Sequence, residues 1–162
     1  MKSSKGFTLI ETIIVMAIMA ILAAIAVPSL INQRNNANLR DAVSMIRGDF
    51  ENARSRAIRE NAFVSVIINT DGYMIFIDNG SGGGGAGNTE YDGDERILCT
   101  RKFPAGIQID FAQTTFTANN ATRPRFNGRG YSTNNGILTL LSLNGKSATV
   151  DMNNRFGRIT TH

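Results

Sequence analysis

A run of residues without a single charge constrains this chain more than any other feature. Thr12 to Gln33 contains no Asp, Glu, Lys or Arg, and most of its side chains are apolar. As an α-helix, these 22 residues would span about 33 Å, which is enough to cross a hydrocarbon core of about 30 Å. The run is apolar on all sides rather than along one stripe, so lipid or the interior of a helix bundle must surround it.

The charges on either side of this run predict its orientation. Lys2 and Lys5 precede it, and the next positive charge is Arg34. Because positive residues remain on the cytoplasmic side of a membrane helix, the N-terminus is predicted to be cytoplasmic. The rest of the chain is then a periplasmic head on a single-pass anchor in the inner membrane.

Three interpretations fit the apolar run. The first is a secretory signal cut before Val27, since residues 24–26 supply a small-x-small site. The second is a plain anchor. The third also explains Glu11, because a carboxylate at the front of a membrane helix costs a few kcal/mol unless it is paired. Cleavage after Gly6 would create an α-amine on Phe7, four residues before Glu11, and the amine of a neighbouring copy would neutralise the acid.

The sequence Lys5-Gly6-Phe7-Thr8-Leu9-Ile10-Glu11 resembles the prepilin peptidase site of type IV pilins and type II secretion pseudopilins. That family has Gly before the cut, usually Phe after it, and Glu at the fifth mature position. The resemblance implies cleavage after Gly6, N-methylation of Phe7 and a role for Glu11 in filament assembly. It also implies three kinds of partner: prepilin peptidase, an inner-membrane assembly platform and other pilin or pseudopilin subunits.

The pattern beyond the apolar run predicts an amphipathic helix that ends near Asn61. An apolar stripe at helical spacing comprises Leu39, Val43, Ile46, Phe50, Ala53 and Ala57. The predicted organisation is a leader over 1–6, a transmembrane and filament-core helix over 7–33, and a periplasmic head over 34–162, with a helix over 34–60 and β-structure over 61–162.

Alternating residues and turn signals predict the β-structure of the head. The predicted hairpins join 63–68 to 73–77, 96–101 to 107–111 across 104–106, and 137–143 to 148–150 across Asn144-Gly145, with a short strand at 125–126. Hairpins without crossover helices favour antiparallel sheets. The fold class is therefore α+β, a long N-terminal helix packed on an antiparallel β-sheet head, as in the type IV pilin fold.

Three segments resemble the GspH/FimT branch of this family: Ala53–Ile58, Phe126–Gly130 and the ending Gly157-Arg158. The resemblance implies a minor pseudopilin of a type II secretion system, assembled into a periplasmic pseudopilus. The alternative is a FimT/FimU-like minor pilin of type IV pili, involved in pilus biogenesis and DNA uptake. A rival from another class is a signal-anchored periplasmic binding domain.

Candidate catalytic residues are lacking in the sequence. The single histidine, His162, is the last residue, and the single cysteine, Cys99, lies in a strand-like run where a buried, inert thiol is expected. We therefore expect no enzyme activity and no cofactor. The acids Asp78, Glu90, Asp92, Asp94 and Glu95 surround a glycine tract over 80–87, read as a flexible surface loop. They offer calcium ligands, although their spacing matches no EF-hand.

The arginines suggest a nucleic-acid hypothesis. They cluster at Arg123, Arg125 and Arg129, and again at Arg155 and Arg158. DNA-binding FimT-type pilins end in Gly-Arg-x-Arg, which contacts phosphate, but Gly157-Arg158-Ile159-Thr160 lacks the second arginine. Arg155 would replace it only if both side chains pointed the same way, and an odd offset in a strand disfavours this. DNA is therefore the less favoured partner.

Overall fold

The structure is a computed structural model, and it describes residues 7–116, 123–152 and 160–161. The chain divides into two compact units, Met1–Arg34 and Asn35–His162. The elements are α1 (Leu9–Glu60), β1 (Phe63–Asn69), β2 (Gly72–Asp78), β3 (Ile97–Lys102), β4 (Ile107–Ile109), β5 (Arg125–Phe126), β6 (Ile137–Ser142), β7 (Ser147–Asp151) and β8 (Thr160–Thr161).

The first unit contains the start of α1. Thr8 precedes the helix, and its hydroxyl accepts a hydrogen bond from the backbone N–H of Glu11 at 3.3 Å. This is an N-cap, which satisfies one of the backbone donors that every helix start leaves unpaired. Pro28 lies inside α1, and the helix continues past it although proline can donate no backbone hydrogen bond there.

In the second unit, one face of α1 supplies part of the core. Its buried residues are Leu39, Ala42, Ile46, Phe50, Ala53 and Ala57. The predicted stripe is confirmed except at one position, where Ala42 is buried and Val43 is only half-buried. Phe50 lies at the centre and meets the rings of Tyr73 at 6.1 Å and Phe126 at 6.4 Å, both edge to face. Such contacts contribute beyond the burial of apolar area.

The predicted end of the helix at Asn61 is confirmed by its backbone. Asn61 has a φ of 47°, the left-handed conformation that Asn adopts more readily than most residues. The Asn61 N–H donates to the Ile58 carbonyl at 3.3 Å, and the Ala62 N–H donates to the Ala57 carbonyl at 3.2 Å. These are the two bonds of a Schellman motif, which pair carbonyls that the helix itself leaves open.

Within the described residues, the strands form two four-stranded antiparallel sheets. Their strand orders are β3-β2-β1-β5 and β4-β6-β7-β8. The predicted hairpins β1–β2 and β6–β7 are both present, with Asn69 opposite Gly72 at the first turn and Leu141 opposite Ser147 at the second. The predicted fold class, a long apolar N-terminal helix with an antiparallel β head, is therefore confirmed.

The predicted hairpin between β3 and β4 is wrong. The chain leaves the first sheet after β3, and β4 pairs instead with β6 in the second sheet, with Ile107 opposite Ser142 and Ile109 opposite Leu140. Pairing there buries both isoleucines. The strand also ends at Ile109, two residues early, because the Asp110 carboxylate and carbonyl accept backbone hydrogen bonds and form a turn. A turn signal predicts a change of direction, but it does not choose the partner strand.

Candidate assembly site and surfaces of the head

Phe7 and Glu11, two of the predicted processing and assembly residues, lie at the start of α1. Phe7 is 83% exposed, and Glu11 is an exposed residue in the first turn of the helix. Glu11 is also the only charged residue between Phe7 and Gln33. A carboxylate is favoured at this end by the positive pole of the helix dipole. Gly6 lies outside the described residues, and the roles of Gly6, Phe7 and Glu11 stay predictions.

Among the described residues, one helix is long and apolar enough to cross a membrane, and it is α1. The large side chains of its N-terminal part are exposed, including Ile13, Met16 and Ile25 at 52%, 68% and 72%. A monomer in water would present this whole surface to solvent, which costs about 25 cal/mol per Å². The segment therefore requires lipid or other helices around it.

In the head, a buried carboxylate fastens the glycine-rich loop. Asp78 lies at the end of β2 and is fully buried. Its oxygens accept hydrogen bonds from the Ser65 hydroxyl at 2.6 Å and from the backbone N–H groups of Gly87 at 2.6 Å and Thr89 at 2.8 Å. Bonds to a charged acceptor in a buried site are among the stronger ones. One end of the loop is therefore tied directly to the first sheet.

A second buried carboxylate holds the other end of this loop. Glu95 accepts the backbone N–H of Gly80 at 3.1 Å and that of Asp92 at 3.4 Å. Burial raises the pKa of the Glu95 carboxyl above its ordinary value, and the two N–H groups oppose that shift. Among residues 7–116, 123–152 and 160–161, no group of three or more His, Cys, Asp or Glu side chains is placed to hold a metal ion. Calcium binding stays a prediction.

Two of the clustered arginines also hold this loop. Arg123 donates to the Thr89 carbonyl at 2.6 Å. Arg125 donates to the Gly87 carbonyl and, through Nε, to the Thr133 hydroxyl at 2.8 Å. Its guanidinium also lies 5.0 Å from the centre of the Phe63 ring, a cation–π contact.

Sequence reasoning missed this role of Arg123 and Arg125, since no local signal links them to residues more than thirty positions away. Arg129 is exposed. Arg155, Gly157 and Arg158 lie outside the described residues, so DNA binding there stays a prediction.

A cleft of about 310 Å³ separates the polar side of α1 from the edge strand β3. Its walls include Asp49, Arg56, Arg59, Cys99 and Arg101. Asp49 accepts hydrogen bonds from the Tyr73 hydroxyl at 2.8 Å and from Arg101 Nε at 2.9 Å. These bonds join the helix to two strands of the first sheet.

Cys99 is only half-buried, not buried as expected. The reason is that β3 is the outermost of the described strands in its sheet, where β2 is its neighbour. Burial nevertheless raises the pKa of the Cys99 thiol, and the negative charge of Asp49 adds to the shift. The thiol therefore stays protonated at neutral pH, which disfavours nucleophilic chemistry.

The apolar helix, the acid near its start and the β-rich head define a type IV pilin-like protein. Residues 1–27 match the prokaryotic N-terminal methylation motif. Residues 42–155 match the family model described as Type II transport protein GspH, and the chain belongs to that family. The family and fold are those of structural pilin-like proteins, and the methylation motif with the apolar helix indicates a membrane-anchored pilin.

Two curated proteins of Thermus thermophilus are similar in sequence. Pilin-like protein PilA1 is 32% identical over 99 residues, 59% of this chain and 58% of the relative. The type IV wide pilus major component PilA4 is 58% identical over 38 residues, 24% of this chain and 29% of the relative. The chain thus spans less than two thirds of either relative.

Two solved structures share the fold. The minor pseudopilin EpsH from the type 2 secretion system of Vibrio cholerae has a TM-score of 0.56 at 12% identity, covering 77% of this chain and 96% of EpsH. The type IV minor pilin FimU of Pseudomonas aeruginosa has a TM-score of 0.55 at 15% identity, covering 82% of this chain and 92% of FimU. These likenesses confirm the predicted pilin fold.

Proposed function

We propose that this chain is a minor pseudopilin of a type II secretion system, which assembles into a periplasmic pseudopilus. The inner membrane stores the subunit with its N-terminus in the cytoplasm and its head in the periplasm. Prepilin peptidase removes residues 1–6, and Phe7 becomes an N-methylated terminus. The observation that carries the prepilin part of the proposal is Glu11, the only charge between Phe7 and Gln33, placed directly after the cleavage motif. The match of residues 42–155 to the GspH model supports the secretion system.

The chemistry of assembly follows from the position of that charge. Before cleavage, the amine closest to Glu11 in sequence is that of Lys5, six residues before it, and a lone acid in a membrane helix is costly. Cleavage creates an amine on Phe7, and methylation leaves its positive charge in place. When helices pack together, the amine of one subunit neutralises Glu11 of the next. In a medium of low dielectric, removing one partner of such a pair costs about 3–5 kcal/mol.

The test of this pairing is a variant that removes the charge of Glu11 but keeps the size of its side chain. A Glu11→Gln variant is expected to be trimmed and methylated normally, yet to enter the filament poorly. Val15→Leu, a change about one turn further along the same side of the helix, at a position that is 54% exposed, serves as the control and is expected to assemble normally. Mass spectrometry of the membrane-extracted protein measures processing, and site-specific cross-linking between neighbouring subunits in intact cells measures incorporation.

Two results would contradict the proposal. A mature chain that begins at Met1 or Val27 would exclude the prepilin route and favour a signal-anchored domain. Normal incorporation of Glu11→Gln would exclude the pairing while leaving the processing intact.

The second candidate is a FimT/FimU-like minor pilin of type IV pili. Its support comes from the sequence relatives, which are named for pilins or a pilus, whereas the GspH family description supports the pseudopilus. The folds of EpsH and FimU resemble this chain about equally and favour neither candidate. Deleting the gene separates the two candidates. Loss of exoprotein from the medium indicates the secretion system, and loss of surface pili or of DNA uptake indicates the pilus.

DNA binding belongs to the second candidate and has its own test. An Arg155→Ala/Arg158→Ala double variant is expected to shift DNA less than the parent protein in a gel at low salt. Unchanged binding by the double variant would exclude both arginines as phosphate contacts.

A further inference from the structure

One turn of the head presents an apolar side chain to solvent. Leu143, between β6 and β7, is 77% exposed, more than any other large apolar side chain described in the unit Asn35–His162. Leu141 is 40% exposed beside it. Together they line a shallow cleft of about 270 Å³. We call residues 143–146 the base turn.

The base turn lies against the part of α1 where the head begins. The Asn144 amide donates to the Asn36 side-chain oxygen at 3.0 Å. The neighbouring turn over 104–106 contacts the same part of the helix, because the Asn38 amide donates to the Ala105 carbonyl at 2.9 Å. The two turns also meet directly, since the Leu143 N–H donates to the Gly106 carbonyl at 3.1 Å.

The bond to Asn36 ties the base turn to a residue that closely follows the uncharged run along the chain. Gln33 ends the uncharged run, and Asn36 follows three residues later. Three residues of even a fully extended chain reach about 10 Å. Lipid that surrounds Thr12–Gln33 therefore lies within about 10 Å of Asn36, the residue to which the base turn is bonded.

The charges around the base turn suit an anionic lipid surface. Lys102 and Lys146 are the only lysines after residue 5, and both are exposed. Lys146 belongs to the base turn, and Lys102 directly precedes the segment that leads to Gly106. Asp71, in the turn bonded to Phe103, offsets part of this charge. A long lysine side chain can keep its ammonium among phosphates while its stem lies along apolar surface.

We propose that the base turn is a lipid-contact site that rests the head on the periplasmic face of an anionic membrane. Leu143 enters the boundary between headgroups and acyl chains, and Lys146 and Lys102 lie among the phosphates. The proposal rests on the membrane storage proposed above. Entry into a filament then requires this contact to be broken, so lipid composition affects how readily the subunit leaves the membrane.

The absence of tryptophan from the sequence provides a direct test. Leu143→Trp and Asp94→Trp each introduce a single fluorophore into the full chain, the second in an exposed loop as a control. Both are reconstituted in phosphatidylglycerol-containing vesicles with brominated acyl chains, which quench tryptophan on contact. We expect Leu143→Trp to emit at shorter wavelength and to lose most of its emission, while Asp94→Trp keeps its emission.

Charge variants test the role of the lysines. In the Leu143→Trp background, the double change Lys102→Gln/Lys146→Gln is expected to weaken quenching in anionic vesicles. The double change Arg47→Gln/Arg129→Gln removes the same charge at other exposed positions and is expected to leave quenching unchanged. Equal effects of the two double variants would overturn the assigned lysine contacts.

Further outcomes separate this proposal from the function on which it rests. If both tryptophans are quenched alike while the protein stays with the membrane after carbonate washing, the lipid contact is wrong and membrane storage stands. A blue shift at position 143 that depends on protein density and persists in detergent would assign the base turn to a second subunit, which also overturns the proposal. Release of the chain by carbonate would overturn both.

Discussion

At the scale of single residues, the fully buried side chain of Asp78 makes a strong prediction about the stability of the head. Its buried carboxylate accepts bonds from Ser65, Gly87, Asn88 and Thr89. Asp78→Asn would turn an amide donor toward groups that are themselves donors. Because buried donors left unpaired are expensive, we expect a loss of about 2–4 kcal/mol in the free energy of unfolding. Urea denaturation measures it.

The matched control for this change is Asp94→Asn, on the exposed part of the same loop. It makes the same chemical replacement and is expected to change stability by less than about 0.5 kcal/mol. Similar losses for the two variants would mean that the buried bonds of Asp78 do not determine stability.

Because Tyr73 is buried, the head is predicted to lose stability at alkaline pH. Burial raises the pKa of its hydroxyl above the ordinary value, and the hydrogen bond to Asp49 adds to the shift. Above pH of about 10 the unfolded chain loses this proton while the folded chain keeps it. The contribution of Tyr73 to the free energy of unfolding is therefore fully present below pH of about 10. Above that pH the free energy of unfolding falls by up to about 1.4 kcal/mol per pH unit.

Tyr73→Phe separates this residue from the others that titrate at alkaline pH. The variant is expected to start about 1 kcal/mol less stable, because it loses the bond to Asp49, and then to show a flatter decline from pH 9 to 12. Tyr131→Phe, at a 41% exposed position, should keep the parent slope. Parallel curves for all three proteins in thermal melts would contradict the assignment.

At the scale of elements, replacing two glycines by alanine is predicted to have opposite effects on the stability of the head. A Cβ on Gly72 would lie 2.1 Å from the Arg101 carbonyl oxygen, so Gly72→Ala should disrupt the pairing of β2 with β3 and destabilise the head by more than about 2 kcal/mol. Gly48 lies inside α1, with nothing within 4 Å of an added Cβ. Gly48→Ala should stabilise by about 0.5–1 kcal/mol. Thermal denaturation compares the two, and equal signs would contradict the structure.

The elements set by local patterns were predictable from the sequence. The stripe along α1, the stop at Asn61 and the hairpin at Asn144-Gly145 each depend on residues within a few positions of one another. The partner of β4 was not predictable in this way. Its three residues pair with β6 because burial of Ile107 and Ile109 favours it, and that choice depends on the assembled core.

The candidate sites also divide into those that local sequence predicts and those that depend on the assembled fold. The motif around Gly6, Phe7 and Glu11 is contiguous, so sequence alone predicts it. Asp78 and Arg125 hold the loop through contacts with residues that are not their neighbours in sequence. An acid or arginine beside a loop has the same appearance in sequence whether it is solvated or buried. The cleft beside Cys99 depends on β3 being an edge strand, which also only the assembled sheet determines.

At the scale of the whole molecule, the hydrophobic core belongs to one unit. Every residue of the core cluster lies between Leu39 and Met152, inside the unit Asn35–His162. A fragment that begins at Asn35 is therefore expected to fold cooperatively without detergent. The full chain should require detergent or lipid, because its apolar segment has no cover of its own.

Circular dichroism and sedimentation of the two proteins measure this difference. Coincident unfolding transitions for the fragment by near- and far-ultraviolet signals would support a two-state head. A fragment that lacks near-ultraviolet signal would show that residues 1–34 are needed for packing.

The fastening of the glycine loop has a further consequence. Its roots are held by Asp78 and Glu95, whereas an added Cβ at Gly83 or Gly85 would meet nothing within 4 Å. Gly84, by contrast, would bring an added Cβ within 1.8 Å of the Asp92 carboxylate, so new residues fit beside Gly85, at the crest of the loop, without disturbing the interior. For the same reason, a peptide epitope inserted at the crest of the loop would allow antibody labelling of the subunit in micrographs of whole cells.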